Sequence, residues 1–207
     1  MGPFLVESRA IRPICMGIPQ QLRGERILLR GFIEEDAARL SRLAGDRRIA
    51  DTMISVPHPY PMSGARQDIR RFAHEASTAT AFHFAVCQPS DSRNLFGYVA
   101  LRDINHAHES GELSFWIDER HSGKGYITEA ARTVLHFAFD ELHLNRVCAH
   151  AMVRNAASER VLAKIGMRQE GCLRQMVKKW KKYEDVSLWA ILRADLRQRQ
   201  RRPKIRS

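Results

Sequence analysis

The chain has 207 residues, of which 44% are hydrophobic and 28% charged, as in an ordinary globular domain that can bury a core without crosslinks. No apolar run is long enough to span a membrane, and the N-terminus lacks the pattern of a signal peptide. We therefore expect a cytoplasmic protein that makes no membrane contact. The net charge of +11 favours polyanionic partners, such as phosphate groups, acidic proteins or RNA.

The positive charge is concentrated in two places. Residues 197–207 contain six Lys or Arg and no acid, and four lysines surround Trp180 within residues 178–182. The tail could contact RNA or a ribosome, but a solvated segment that keeps the protein soluble is the preferred interpretation. Trp180 could stack on a base, for which a lone aromatic residue is a weak signal.

The four cysteines are Cys15, Cys87, Cys148 and Cys172, and no two of them form a CxxC pair. Widely spaced cysteines do not suggest a disulfide framework. We expect free, buried thiols in a reducing compartment.

The first quarter of the chain mixes an irregular start with short regular elements. Residues 1–24 hold three prolines and little periodicity, which predicts an N-terminal extension outside the domain. Apolar patterning predicts a strand over 26–32, a helix over 33–44 and a further helical turn over 46–53. Three prolines within 56–61 exclude a helix there.

A helix and a run of strands follow. Residues 63–76 carry a helix-start signal at Ser63 and helical spacing of apolar residues. Strands are predicted over 82–86 and 95–104, with Gly97 a possible bulge. A polar hairpin loop over 105–111 leads into the next strand.

Residues 112–128, ELSFWIDERHSGKGYIT, join a strand to a helix. Leu113, Phe115 and Ile117 alternate with more polar residues, and after Gly125 the apolar residues take helical spacing. Gly123 and Gly125 stand at the junction, where backbone N–H groups can surround an anion at the positive end of a helix. This geometry suits a phosphate or pyrophosphate.

Several phosphate-binding motifs compete for this junction. The P-loop spacing is absent, and Thr128 stands where a dinucleotide fingerprint needs its third glycine. Residues 120–125, RHSGKG, satisfy the acyl-CoA pattern [Q/R]-x-x-G-x-[G/A]. A plain tight turn before an ordinary helix is the alternative for this hexamer by itself.

The remaining elements complete a mixed sheet. Residues 146–153 alternate as a strand, which a right-handed crossover would place parallel to the strand that starts at Glu112. Asn155 opens a helix that Gly166 closes. Residues 168–176 and 183–192 form a final hairpin.

Three further segments make the chain resemble the GCN5-related N-acetyltransferase (GNAT) superfamily, and its RimJ/RimL-type branch in particular. They are TEAARTVLHFAFDELHLNRV, NAASERVLAKIGMRQEG and YEDVSLWAIL. The resemblance implies a GNAT domain over 25–196, followed by the basic tail. It implies an α+β fold: a mixed, mostly antiparallel sheet of six to seven strands, with a splayed parallel pair and helices on both faces.

The resemblance also implies acetyl-CoA as co-substrate, with its pantetheine arm lying between the splayed strands. Backbone groups of one strand would pair with the arm, the glycine loop would hold the pyrophosphate, and Asn155 would reach the arm besides capping its helix. The residues implied are Phe115, Trp116, Ile117, Ser122, Gly123, Lys124, Gly125, Thr128 and Asn155. Many relatives carry Tyr-Trp where this chain has His121 and Ser122, which puts the packing of the loop in doubt.

Acetyl transfer needs a neutral amine, a stabilised oxyanion and a proton for the leaving thiolate. We predict Glu112 as the base, acting through water, although an outward-facing strand carboxylate fits this position nearly as well. Glu170 is a second choice. A backbone N–H near Trp116 would stabilise the oxyanion. Ser158, or less favourably Tyr183, would protonate the thiolate.

The resemblance implies an acetyl-CoA-dependent N-acetyltransferase acting on a protein N-terminal α-amine of the ribosomal-protein type. Alternatives are a polyamine, amino sugar or antibiotic acceptor, and a non-catalytic CoA- or RNA-binding protein. Tyr60, in the proline-rich segment, is implied to border the acceptor site, although a packed loop tyrosine fits equally well. No metal is expected, since His106 and His108 lack enough nearby ligands. The sequence leaves a monomer and a homodimer open.

Overall fold

The computed structural model describes residues 21–196. Within this part of the chain, eight strands form one sheet in the order β1-β2-β3-β4-β5-β6-β8-β7. The strands are β1 (Gln21–Arg23), β2 (Leu28–Arg30), β3 (Phe82–Cys87), β4 (Gly97–Asn105), β5 (Ser110–Ile117), β6 (Arg146–Met152), β7 (Arg168–Lys179) and β8 (Lys182–Leu192). The helices are α1 (Ala37–Ala44), α2 (Arg47–Thr52), α3 (Met62–Ser77), α4 (Tyr126–His136) and α5 (Ala156–Ile165).

The sheet is antiparallel except for one pair. Strands β1 to β5 form successive antiparallel pairs, β5 and β6 run parallel, and β8 pairs antiparallel with both β6 and β7. The α+β fold with one parallel pair is confirmed. The sheet has eight strands instead of the six to seven predicted. The additional strand is β1, whose Leu22 pairs with Leu29 although it lies in the segment expected outside the domain.

Strand alternation divides the core between the two faces of the sheet. Leu113 and other residues of one face pack beneath α4 and α5. Trp116 and Tyr98 lie on the opposite face, where they meet α1 and α3. The prediction of helices on both faces is confirmed.

Three local predictions differ from the structure. Gly97 pairs regularly with Ile117, and the register of the β4–β5 pair shifts instead between Arg102 and Asn105. Helix α3 begins at Met62, one residue before the predicted start, because Pro61 can end the extended segment as its N-cap. The strands of the last hairpin extend beyond their predicted bounds, to Lys179 and from Lys182. Trp180 and Lys181 form the two-residue turn between them, with φ of 49° and 68°.

The predicted basic tail, most of the N-terminal extension and Cys15 lie outside the described residues. Among the described cysteines, all of which are free, Cys87 is buried, Cys148 is half-buried and Cys172 is exposed. The prediction of buried thiols is therefore wrong for Cys172, which lies on the exposed strand β7. Between residues 21 and 196, no helix has both the length and the apolar character needed to cross a membrane.

Candidate active site

The parallel strands β5 and β6 separate partway along their length. They pair at Ser110, Gly111 and Glu112, and the last pair joins Glu112 to Cys148. Beyond it, β5 continues to Ile117 and β6 to Met152 without pairing to each other. The predicted gap between these two strands is therefore present, with its closed end at Glu112.

The edge of β5 that faces this gap has no strand partner among the described residues from Leu113 to Ile117. Its other edge is fully used, since Phe115, Trp116 and Ile117 pair with β4. Unpaired backbone groups along a strand can bind an extended ligand as an added strand would be bound. The gap fits an amide-bearing arm such as pantetheine.

The glycine loop at the open end of the gap is free of obstruction. Gly123 and Gly125 have φ of 75° and 83°, in the left-handed region that favours glycine. A Cβ added to Gly123 would meet no atom within 4 Å, and one on Gly125 would meet only Nη2 of Arg26, at 3.2 Å. Gly125 is the N-cap of α4, so the loop offers an uncovered helix N-terminus to an anion.

Arg26 braces this loop from the other end of the sequence. Its backbone N–H and Nε donate to the carboxylate of Glu129, at 2.7 and 3.0 Å, and Nη1 donates to the carbonyl of Lys124 at 3.1 Å. The guanidinium also lies over the ring of Tyr126. No local pattern in the sequence indicates this role, because Arg26 and Glu129 are 103 positions apart.

The unusual pair His121 and Ser122 is accommodated in the loop. The imidazole of His121 stacks on Phe96, with ring centroids 4.3 Å apart, and its Nδ1 is 3.3 Å from Asp118. Ser122 is exposed. The packing of the loop is thus maintained by an aromatic contact that His121 supplies.

Asn155 and Ser158 lie together beside the gap. The Asn155 side chain accepts a hydrogen bond from the backbone N–H of Ser158 at 3.1 Å, as the predicted N-cap does, and its Nδ2 donates to the Ser158 hydroxyl at 2.8 Å. Both residues line a small cavity of about 40 Å³ that occupies the gap, here called the gap cavity. Lys124 lies in the glycine loop and Thr128 in the first turn of α4, and neither lines the gap cavity.

Glu112 lies at the closed end of the gap cavity within a network of charged groups. Its Oε1 accepts from Nη2 of Arg102 at 2.7 Å, and its Oε2 is 3.4 Å from Nδ1 of His150. The Glu112 and His150 side chains are only 16% and 18% exposed. A carboxylate, a guanidinium and an imidazole therefore meet where the two strands separate.

A larger cavity of about 380 Å³ adjoins the gap on the face of the sheet covered by α1 and α3. We call it the acceptor cavity. Four residues line both cavities: Met53, Ser55, Arg102 and Ser114. Tyr60 lies in its wall and is 9% exposed, with its hydroxyl donating to Asp68 at 2.6 Å. Burial and this hydrogen bond raise the pKa of Tyr60, which keeps the phenol protonated.

Helix α3 contributes an ion-pair network to the acceptor cavity. Arg71 donates to Asp68 at 2.8 Å and to Glu75 at 2.9 Å. Glu75 also contacts Nε2 of His83 at 2.7 Å, while Nδ1 of His83 is 2.8 Å from the hydroxyl of Tyr98. Burial lowers the pKa of His83 to about 4, so the imidazole is neutral at physiological pH. The strand predicted over 82–86 contains His83, but no pattern in the sequence indicates the contacts of this network.

The hairpin turn of the lysine cluster fastens the wall of the acceptor cavity. Nζ of Lys179 donates to the carbonyls of Met53 and Val56, each at 2.8 Å. The indole N–H of Trp180 donates to Asp51. Part of the lysine cluster therefore has a structural role, and the Trp180 side chain is engaged within the protein.

Two predicted side chains stay away from both cavities. Tyr183 is 61% exposed and contacts Lys178, whose Nζ lies 5.2 Å from the ring centroid. Glu170 pairs with Arg146 at 2.9 Å on the outer hairpin. The structure thus brings Glu112, Ser158 and Asn155 together, and does not bring Tyr183 or Glu170 to them. Across residues 21–196 no three metal-ligating side chains lie close enough to hold an ion.

Comparison with known proteins agrees with this geometry. Residues 26–168 match the family model described as Acetyltransferase (GNAT) domain. A Bacillus subtilis protein named probable N-acetyltransferase YjcK is 35% identical over 178 residues, which cover 84% of this chain and 98% of the relative. The ribosomal-protein-serine acetyltransferase of Escherichia coli is 31% identical over 96 residues, which cover 46% of this chain and 54% of the relative.

A solved structure shows the same fold. The spermidine N-acetyltransferase from Vibrio cholerae, in complex with CoA and spermine, has a TM-score of 0.74 at 24% identity; the match covers 83% of this chain and 98% of that one. The chain belongs to the GNAT acetyltransferase family, and it is an acetyl-CoA-dependent N-acetyltransferase. The gap and the open glycine loop fit the co-substrate that this activity requires.

Proposed function

We propose that the protein transfers the acetyl group of acetyl-CoA to the N-terminal α-amine of a protein, of the ribosomal-protein type. The observation that carries this proposal is the pairing of every carboxylate in the acceptor cavity with a guanidinium. Asp68 and Glu75 bond to Arg71, and Asp103 lies 3.6 Å from Nε of Arg102. The two carboxylates on α3 are thus hydrogen-bonded before any acceptor arrives, whereas Asp103 is exposed to solvent.

This pairing disfavours a polycationic acceptor. A polyamine carries several ammonium groups, and each of them needs a free acceptor or carboxylate to replace its hydration. In this cavity, Arg71 and Arg102 neutralise two of the three carboxylates, so little net negative charge remains for the distal ammonium groups. A peptide has one α-amine followed by neutral amides, whose carbonyl oxygens can accept hydrogen bonds from guanidinium groups.

The chemistry of the α-amine also suits this site. An α-amine with a pKa of 7.7–8.0 is roughly a tenth neutral at pH 7, whereas a lysine amine is neutral only to ~0.04%. An enzyme for α-amines therefore needs only modest help in removing a proton. A similarity to the ribosomal-protein-serine acetyltransferase of E. coli supports the same acceptor class.

We infer the following roles for residues at the gap. The pantetheine arm lies along Phe115, Trp116 and Ile117, with the thioester near the closed end at Glu112. A backbone N–H near Trp116 stabilises the oxyanion. Ser158, oriented by its hydrogen bond from Asn155, donates a proton to the leaving thiolate.

A small-molecule amine is the second candidate acceptor. The acceptor cavity contains three carboxylates and two guanidinium groups, and this excess of acid favours a cation. The fold is also that of a spermidine N-acetyltransferase. A non-catalytic role has no such support, because the chain belongs to an acetyltransferase family.

The rate of thiol release from acetyl-CoA, measured with each acceptor, distinguishes between these candidates. We expect kcat/KM for peptides with a free N-terminal Ser or Ala to exceed that for spermidine by about tenfold or more, or about 1.4 kcal/mol in transition-state binding. The matched control is the same peptide with a blocked N-terminus and an internal lysine, which should release no thiol. A higher kcat/KM for spermidine or for an amino sugar would contradict the proposal.

Two further points belong to this proposal. Modification of ribosomal proteins would take place in the cytoplasm, where free thiols persist. The basic tail would then help to bring the enzyme to RNA-rich substrates. Removal of residues 197–207 should leave kcat/KM for a free peptide unchanged and reduce it for an intact ribosomal particle.

A further inference from the structure

His150 lies where the two parallel strands separate. It follows Cys148, the last residue of β6 that pairs with β5, by two positions, and it lines the gap cavity. Its side chain is 18% exposed, so it belongs to the interior of the gap.

Strand alternation sets the direction of the His150 side chain. Val147, Ala149 and Ala151 of β6 belong to the core beneath α4 and α5. His150 alternates with them and therefore points to the opposite face, as Glu112 does on β5. That face is the one on which the acceptor cavity lies.

The contacts around His150 resemble those of an oriented general base. Nδ1 is 3.4 Å from Oε2 of Glu112, and the other oxygen of Glu112 is held by Arg102 at 2.7 Å. At this distance the pair is an electrostatic contact and not a hydrogen bond; it favours the N–H on Nδ1 and leaves Nε2 to accept a proton. Neither ring nitrogen of His150 makes a hydrogen bond to the residues that the structure describes, so Nε2 is free to meet an acceptor amine.

We propose that His150 accepts the proton which the acceptor amine loses, with Glu112 and Arg102 as positioning residues. The amine nitrogen attacks the thioester carbonyl carbon, its proton passes to Nε2 of His150, and the carbon–sulfur bond breaks. The thiolate leaves and takes a proton from Ser158, which also lines the gap cavity. His150 then returns its proton to Ser158 through solvent, so that the products are the N-acetylated amine and CoA thiol.

This assignment gives Glu112 a different duty from that predicted from the sequence. Its carboxylate is already engaged by Arg102, and it acts through the imidazole instead of taking the proton itself. Other titratable groups near His150 are few: Cys148 precedes it on β6, and residues 52–55, which line the cavity opposite, contribute no ionisable side chain.

The test is the pH dependence of kcat in His150→Gln. We expect kcat to fall by about 100-fold, the lower end of the usual contribution of a general base. The acidic limb of the wild-type pH profile should disappear, while the Kd for CoA stays within about twofold because backbone groups hold the arm. His136→Gln is the matched control, since His136 also pairs with a carboxylate, Asp140, outside both cavities.

Other results would overturn the assignment. A kcat for His150→Gln within about twofold of wild type would do so, as would an unchanged acidic limb. An equal loss of kcat and of CoA affinity in His150→Gln would show that the role of His150 is purely structural. His150→Asn carries a smaller amide and serves as a second variant, for which we expect the same loss of kcat and of the acidic limb.

The assignment of His150 rests on the part of the proposed function that makes the acceptor an amine, and not on the identity of that amine. The assay uses whichever amine the wild-type enzyme acetylates fastest. Turnover of spermidine and not of peptides would overturn the proposed acceptor and leave the His150 test in place. In the CoA complex, the imidazole NMR signal of His150 should shift in Glu112→Gln, and an unshifted signal would contradict the contact with Glu112.

Discussion

The two halves of the candidate site present different parts of the chain to a ligand. On the cofactor side, the free edge of β5 and the glycine loop present backbone groups, and side chains matter little. On the acceptor side, the cavity is lined by side chains from several segments, which range from Leu40 on α1 to Trp116 on β5 and include Tyr60, Arg71 and His83.

This difference determines how each half responds to substitution. A backbone site is damaged by a group that fills its space, and it tolerates most other changes. A site made of paired side chains is damaged by loss of a single partner, because the remaining charge is left uncompensated. The following substitutions are chosen to separate the two halves, in order of decreasing expected effect.

The largest effect is expected at the glycine loop. Gly125→Glu should weaken CoA binding by about 100-fold or more, or about 2.7 kcal/mol, because a carboxylate would occupy the phosphate position. Isothermal titration with CoA measures this loss. Gly125→Ala is the control: it shares the cost of the left-handed backbone, with φ of 83°, and should retain most of the affinity. CoA affinity retained by the Glu variant would exclude the loop as the phosphate site.

The next effect concerns stability and belongs to the acceptor side. The folded-state pKa of His83 is lowered to about 4 by burial, so the unfolded chain binds the proton more readily between pH 4 and 6.5. Its stabilising contribution is therefore complete above pH 6.5 and is lost as the pH falls. We expect about 2 kcal/mol less unfolding free energy from this group at pH 5 than at pH 7.5.

Urea unfolding at the two pH values measures the contribution of His83. His83→Gln should be less sensitive to pH by that amount, and His136→Gln, at an exposed histidine, should behave as wild type. Equal pH sensitivity in His83→Gln and wild type would show that His83 is not held neutral.

Glu112→Gln tests the chemistry between the two halves. We expect a loss of about tenfold, or 1.4 kcal/mol, with lysine or polyamine acceptors and a smaller loss with α-amines, because α-amines are already partly neutral. Initial rates with matched acceptors measure the ratio. Equal, negligible losses on both kinds of amine would remove Glu112 from the mechanism.

The smallest effect is expected at the lysine cluster. Lys179→Met removes the bonds to the carbonyls of Met53 and Val56, and should raise the acceptor KM by about fivefold, or roughly 1 kcal/mol, with CoA affinity unchanged. Lys182→Met is the control, because Lys182 is exposed and its substitution removes the same charge. Equal changes in both variants would indicate a general charge effect.

Local patterns were sufficient where the structure depends on neighbours in sequence. Gly123 and Gly125 follow a strand and precede a helix, which identifies an anion site within a few residues. Asn155 caps α5 through Ser158, three residues away, as predicted. Gly123 and Gly125 were therefore predicted at a loop that the structure leaves open to an anion, whereas Arg26, which contacts that loop, was not predicted.

Long-range contacts were not accessible in this way. Arg26 meets Glu129 and Lys179 meets Met53 only after the sheet has closed, and nothing local indicates either pair. The contact between Glu112 and His150 depends on the register of two strands that 28 intervening residues separate. A shift of one position would turn either side chain to the other face.

Local patterns in the sequence were enough to identify the family, the order of the elements and the glycine loop between β5 and α4, because those depend on periodicity and on glycine over short spans. Only the folded molecule decided which charges face one another in the acceptor cavity and which histidine reaches the gap. These depend on strand register and on burial, and both arise from packing between segments that are remote along the chain.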